Sequence, residues 1–188
     1  SGEVLVDGKS EALSRLVGYV RQDPRNQIVS AMVSDEVAFG PRNLGLPRDE
    51  VLKRVDEALA ACGIEELRNR MTSELSGGQQ QRVAIARVLA MRPRYIVLDE
   101  ASSMLDRGMR RRVAGIVCDL LSRGVGVLEV AHSAEALSGA SRIVVMDGGH
   151  VAWEGDRLPS ALGERLFGLP DEVYNGRVCT DGGSHLLE

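Results

Sequence analysis

The chain has 188 residues with 44% apolar side chains, enough for one globular unit with a sizeable core, and a formal net charge of -4. Aromatic residues are only 3%, so packing rests on Val, Leu, Ile, Ala and Met, and neither aromatic stacking nor a basic excess is there for a nucleic-acid partner. No apolar run reaches the roughly 18 residues of a membrane helix, and three well-separated cysteines, Cys62, Cys118 and Cys179, fit reduced thiols without metal-ligand spacing.

Taken in chain order, Val4, Leu5 and Val6 read as a short strand entering an Asp7-Gly8 turn. A P-loop needs Gly, four residues, then Gly-Lys-Ser/Thr after a buried strand, so that backbone N–H groups and the lysine hold phosphates. The run Gly8, Lys9, Ser10 has no glycine at that distance, since Gly2 lies one residue too far, and it reads as a turn. Asp49 to Cys62 places Val51, Leu52, Val55, Leu59 and Ala60 at helical spacing, with Gly63 where the helix ends.

Leu75, Ser76, Gly77, Gly78 and Gln79 come next. Two glycines let backbone N–H groups approach an anion, Ser76 adds a hydroxyl, and the helix that follows from Gln80 to Met91 points its positive end at the same place. Pro93 helps to end that helix. Tyr95 to Leu98 is an unbroken apolar run of the kind buried in a parallel sheet, and it delivers Asp99 and Glu100 to a strand's carboxyl end. Arg107 to Arg123 is a further helix closed by Gly124, with the Arg110 to Arg112 cluster on its solvated face.

Val125 to Ala131 is a core strand interrupted by Glu129, a carboxylate that should face a partner or a gap in the sheet. Ile143 to Met146 and Val151 to Trp153 form a hairpin about Asp147, Gly148 and Gly149. Past Gly155 the periodic signal fades, and residues 156–188 are expected to be a C-terminal extension, in part disordered.

Alone, the Ser-Gly-Gly run is an ordinary flexible turn, and an Asp-Glu pair an ordinary solvated strand end. Together, at this spacing, they point to phosphoryl transfer, in which one carboxylate holds magnesium through water and the other orients and deprotonates the attacking water.

The same residues resemble the ATP-binding-cassette ATPases. Leu75 to Gln79 matches their signature, Tyr95 to Glu100 their Walker B strand, and Ser102 to Asp106 their D-loop. Tyr19 to Pro24 is similar to their Q-loop, and Val130, Ala131 and His132 to their switch histidine strand, with Ala131 where the family usually has Thr. Asp23 to Pro47 is similar to the segment after the Q-loop in energy-coupling-factor and cobalt-type importers, where the family faces its membrane subunit.

The resemblance covers residues 1–155 and implies an α/β fold, a P-loop NTPase (RecA-like) core with a helical signature subdomain over about residues 36–92. Judged against the family, the chain is expected to begin late, without the first sheet strand, the adenine-stacking aromatic residue and the P-loop, and to be inactive alone. The implied cofactors are ATP and magnesium. Asp99 holds the metal, Glu100 is general base, Gln22 couples metal and water to the membrane subunit, and His132 contacts the γ-phosphate. Ser76, Gly77, Gly78 and Gln79 serve the nucleotide of a partner ATPase, and Asp106 crosses the dimer interface.

The implied partners are a second ATPase subunit, in a homo- or heterodimer, and a membrane transporter subunit, with no nucleic acid. The implied location is cytoplasmic, peripheral on the membrane through that subunit. Two alternatives stay open: a non-catalytic partner that donates its signature to a complete ATPase, and a soluble cassette ATPase of DNA repair or translation.

Overall fold

The computed structural model describes residues 16–103, 105–132, 137 and 140–168. The chain divides into two compact units after Val130. Val4 to Val6, the Gly8-Lys9-Ser10 run and residues 169–188 lie outside the described residues.

In the first unit three parallel strands, β1 (Val17–Val20), β2 (Tyr95–Asp99) and β3 (Gly126–Val130), pair in the order β1-β2-β3. Parallel neighbours need long crossovers. The connection from β1 to β2 carries three helices, α1 (Val33–Asn43), α2 (Arg48–Cys62) and α3 (Gly77–Ala90), and that from β2 to β3 carries α4 (Arg107–Ser122). Val20, Ile96 and Leu98 from the sheet meet Ile85 and Val88 of α3 and Val113 of α4 in the core.

The close seating of β1 depends on Gly18. A Cβ there would lie 2.3 Å from Val88 Cγ1 and 3.1 Å from Pro93 Cγ, so the strand can lie against α3 only without a side chain at that position. α2 ends as its sequence requires, on Gly63 in the left-handed region at φ 58°. The three arginines 110–112 are exposed on α4, as expected of a solvated face.

α1 contains a charge that no periodicity reveals. Glu36 is fully buried; its Oε2 accepts from the backbone N–H groups of Val29 (2.9 Å) and Ser30 (2.7 Å), and its Oε1 from Arg87 Nη1 of α3 at 2.8 Å. Arg87 also donates to the Gln27 carbonyl at 2.5 Å. A buried carboxylate is tolerable only with its lone pairs met in this way, and the result pins residues 27–30 to the helices.

The second unit contains a hairpin of β4 (Ile143–Asp147) and β5 (His150–Gly155), turned by Gly148 and Gly149 at φ 54° and 83°. Positive φ at both central positions is what a right-twisted two-residue hairpin turn needs. Leu158 and Ile143 are buried in its small core. A short helix, α5 (Ser160–Phe167), ends on Gly168 at φ 63°, in a stretch where the sequence offered no element.

Burial pushes the free Cys62 thiol up to about 12. No helix among the described residues is long and apolar enough to cross a membrane.

Candidate functional site

Asp99 ends β2, and Glu100 follows it in the left-handed region, at φ 48°. A side chain costs about 1–2 kcal/mol in that conformation. Two backbone bonds hold it there: Glu100 N–H donates to the Val130 carbonyl at the end of β3 (2.9 Å), and Ser103 N–H donates to the Glu100 carbonyl (3.0 Å). The turn at Glu100 directs two adjacent carboxylates along different lines, both half-exposed.

Each carboxylate receives a donor from the β1 side. Gln22 Nε2 donates to Glu100 Oε2 at 2.8 Å, and the Tyr19 hydroxyl donates to Asp99 Oδ2 at 2.6 Å. The bond to Asp99 holds the Tyr19 phenol above its ordinary range, because losing the proton would put two anions together.

The backbone around Gln22 is fixed from two sides. Gln27 closes the loop: its Oε1 accepts from Arg21 N–H at 3.1 Å and its Nε2 donates to the Tyr19 carbonyl. From α3, the fully buried Gln81 donates through Nε2 to the Arg21 carbonyl at 3.2 Å, and its Oε1 has no hydrogen-bond partner among the described residues. Past Gln22, Asp23 caps a turn of 3-10 helix at Pro24–Asn26, and hydrogen bonds from Arg25 hold its carboxyl below the usual carboxylate range.

The signature turn stands on α3. Ser76 is its N-cap: Ser76 Oγ accepts from Gln79 N–H (3.4 Å) and Gln79 Oε1 accepts from Ser76 N–H (2.9 Å), a reciprocal capping box. This box starts the helix at Gly77, three residues before the expected Gln80. Ser76 and Gly77 are exposed and Gly78 half-exposed, so the first-turn N–H groups and the positive end of the helix dipole remain open to an anion.

Leu75, Gly77 and Gln80 line a recess of about 410 Å³ with Asp23, Pro24 and Arg25. Thr72 secures the approach to the turn, donating through Oγ1 to the Ser30 carbonyl (2.8 Å) and accepting at its own carbonyl from Gln80 Nε2 (3.2 Å).

Of the residues expected at the site, Gln22, Asp99 and Glu100 converge. Ser76, Gly77, Gly78 and Gln79 form a separate exposed turn. Asp106 is exposed and caps α4, its Oδ1 accepting from Met109 N–H at 2.9 Å. His132 belongs to the second unit and is exposed. Tyr19 and Gln81 were missed as site residues. Nothing in the sequence ties either to Asp99 or Arg21, because both contacts depend on which strand and helix become neighbours.

Glu129 pairs in register with Leu98 and is half-buried, and burial pushes its carboxyl above the usual range. Among the described residues no group of three or more His, Cys, Asp or Glu could form an all-protein metal cage. Two half-exposed carboxylates beside an amide are instead the kind of oxygen donor set with which magnesium is held next to phosphates and water.

The ABC transporter family model matches residues 1–103. The chain is 42% identical over 188 residues to the energy-coupling factor transporter ATP-binding protein EcfA1 of Lactococcus lactis, covering all of this chain and 66% of that protein; it spans 56% of another curated relative. It is also similar to cbiO1 from Clostridium perfringens, part of the ABC transporter complex cbiONQ (TM-score 0.70, 36% identity, 83% of this chain and 66% of that one). A dimeric post-hydrolysis state of the ATP-binding cassette MJ0796, bound to ADP and Pi, matches with a TM-score of 0.71 at 29% identity, covering 81% of this chain and 68% of that one.

Proposed function

Given that the chain belongs to the ABC transporter ATP-binding family, in its energy-coupling-factor and cobalt-type branch, we propose that it is the ATP-binding subunit of an energy-coupling-factor type importer. In this reading it couples ATP binding and hydrolysis to uptake of a vitamin or metal ion. The observation that carries the proposal is the 2.8 Å bond from Gln22 to Glu100, because it joins the segment that leads toward a membrane subunit to the carboxylate that handles water.

Each residue has a distinct task. Glu100 orients the attacking water and takes its proton onto a carboxylate oxygen, and Gln22 holds that carboxylate in line. Asp99 holds magnesium through water, with Gln22 nearby. When bound, magnesium neutralises phosphate charge and polarises the phosphoryl group. His132 contacts the γ-phosphate, and Asp106 lies at the interface with a second ATP-binding subunit.

Ser76, Gly77, Gly78 and Gln79 present N–H groups to the nucleotide of that second subunit. A dimer is supported by the dimeric MJ0796 cassette, and a membrane partner by the cbiONQ complex that contains cbiO1. The location is the cytoplasmic face of a membrane, by way of the transporter subunit. The 188 residues contain no Gly, four residues, Gly-Lys-Ser/Thr segment. These 188 residues alone are therefore expected to show no magnesium-dependent turnover.

Assembly tests the proposal. Co-expressed with a membrane subunit and a second ATP-binding subunit, and with P-loop residues supplied on the Asp99 side, the protein should co-purify with both, and the complex should hydrolyse ATP. Glu100→Gln should then cut turnover by about 10²–10⁴-fold while ATP still binds. Recovery with nucleic acid and without a membrane protein would overturn the reading in favour of a DNA-repair or translation ATPase.

A further inference from the structure

We propose that Tyr19 is a positioning residue for Asp99, fixing the carboxylate so that one chosen oxygen faces the metal; this rests on the reading of Asp99 as the metal-holding residue. The hydroxyl of Tyr19 donates to Asp99 Oδ2 at 2.6 Å, within the range of a charge-assisted hydrogen bond from a hydroxyl to a carboxylate.

Register builds the contact. Tyr19 pairs with Val97, and Asp99, two residues further along β2, projects from the same face. That diagonal spans roughly 7–8 Å between neighbouring strands, a distance that a long aromatic side chain with a terminal hydroxyl can cross. Val20, the next residue of β1, points the other way into the core.

The consequence follows from carboxylate geometry. An unrestrained aspartate turns about its terminal torsion and offers either oxygen. With Oδ2 engaged, Oδ1 is the oxygen that would remain for a metal's water shell, in a direction set by the Tyr19 bond. Gln22 does the same for Glu100, so the β1 side assigns one donor to each of two adjacent carboxylates and keeps their orientations distinct. Tyr19 is 42% exposed, so its hydroxyl is not needed to fill the core.

Tyr19→Phe removes only that oxygen. Hydrogen-bond partners that orient metal ligands typically change metal affinity 10–100-fold, and at this exposed position the lower end applies. In the transporter assembled with its membrane subunit and second ATP-binding subunit, Tyr19→Phe should raise the half-saturating magnesium concentration about tenfold. Turnover at saturating magnesium should recover, and the KM for ATP should stay near its original value.

Binding of Mn2+ in the presence of ATP, followed by electron paramagnetic resonance, should weaken by the same factor without reference to turnover. Asp99→Asn separates the two levels of the argument. If it leaves Mn2+ affinity unchanged, the metal reading of Asp99 falls and the proposal falls with it. If Asp99→Asn weakens Mn2+ binding and Tyr19→Phe does not, the metal reading stands and the positioning role is wrong. Tighter Mn2+ binding in Tyr19→Phe, or turnover lost at every magnesium concentration with unchanged Mn2+ affinity, also overturns it.

Discussion

The signature turn and the carboxylate end of β2 are both directed at phosphate chemistry, but they are held by different kinds of contact. At the turn, Ser76 and Gln79 hold each other across three residues, and the same two bonds start the helix whose dipole the site would use. At Asp99 and Glu100 the donors are Tyr19 and Gln22, separated from them in sequence by 80 and 78 residues. The turn can form wherever its helix forms. The carboxylate pair acquires its orientation when β1 and β3 have docked on either side of β2, so damage to the sheet should reach it and leave the turn intact.

The largest effect expected from breaking that difference is at Gly18. Gly18→Ala would put a methyl group against Val88 Cγ1 and the Pro93 ring, neither of which can swing aside, and overpacking of this kind costs about 1–3 kcal/mol. Chemical denaturation of the 188-residue chain should show that loss. In the assembled transporter, turnover should fall with it as Tyr19 and Gln22 shift from their carboxylates. Unchanged stability would mean that β1 is not seated as described.

A smaller effect is expected at the turn. Ser76→Ala removes the acceptor for Gln79 N–H and should cost about 1 kcal/mol, read by the same denaturation. Magnesium dependence should not change, because among the described residues no bond joins the turn to Asp99 through Ser76. A shift in magnesium requirement would show that the two regions are coupled more directly than their contacts indicate.

The smallest effect is at Glu129, on the strand beside Asp99. Burial raises its folded pKa above the unfolded value, so the folded chain binds the proton more tightly and the charged form costs stability as pH rises through that window. Glu129→Gln should therefore stabilise the chain modestly at about pH 7. The gain should vanish in acid, where the native residue is protonated in both states. Urea denaturation at the two pH values measures it, and a loss of stability at neutral pH would mean that the charged carboxylate has a favourable partner.

Much of the architecture was legible because it is periodic or locally punctuated. The helix Arg48–Cys62 follows its apolar spacing and stops on Gly63, β2 follows its apolar run, and the β4–β5 turn follows Gly148 and Gly149. Other features have no local signature. Glu36 follows the polar pair Ser34 and Asp35 and reads as a surface residue until Arg87, 51 residues away, closes on it. The α5 helix has only eight residues, too short for periodicity to stand out. Tyr19 lies in a short strand where alternation announces a face without saying what that face meets.

By itself, the sequence determined the residue types at both sites, the capping box that makes the turn, and the strand that ends on two carboxylates, because each depends on neighbours within about one helical turn or one strand. Only the tertiary structure decided that Tyr19 serves Asp99 and Gln22 serves Glu100, and that Glu100 is held at a positive φ by the Val130 carbonyl. Those outcomes depend on register and on the order of strands in the sheet. Both are set by the packing of β1 and β3 on either side of β2, and no span of the chain short enough to read locally contains all three.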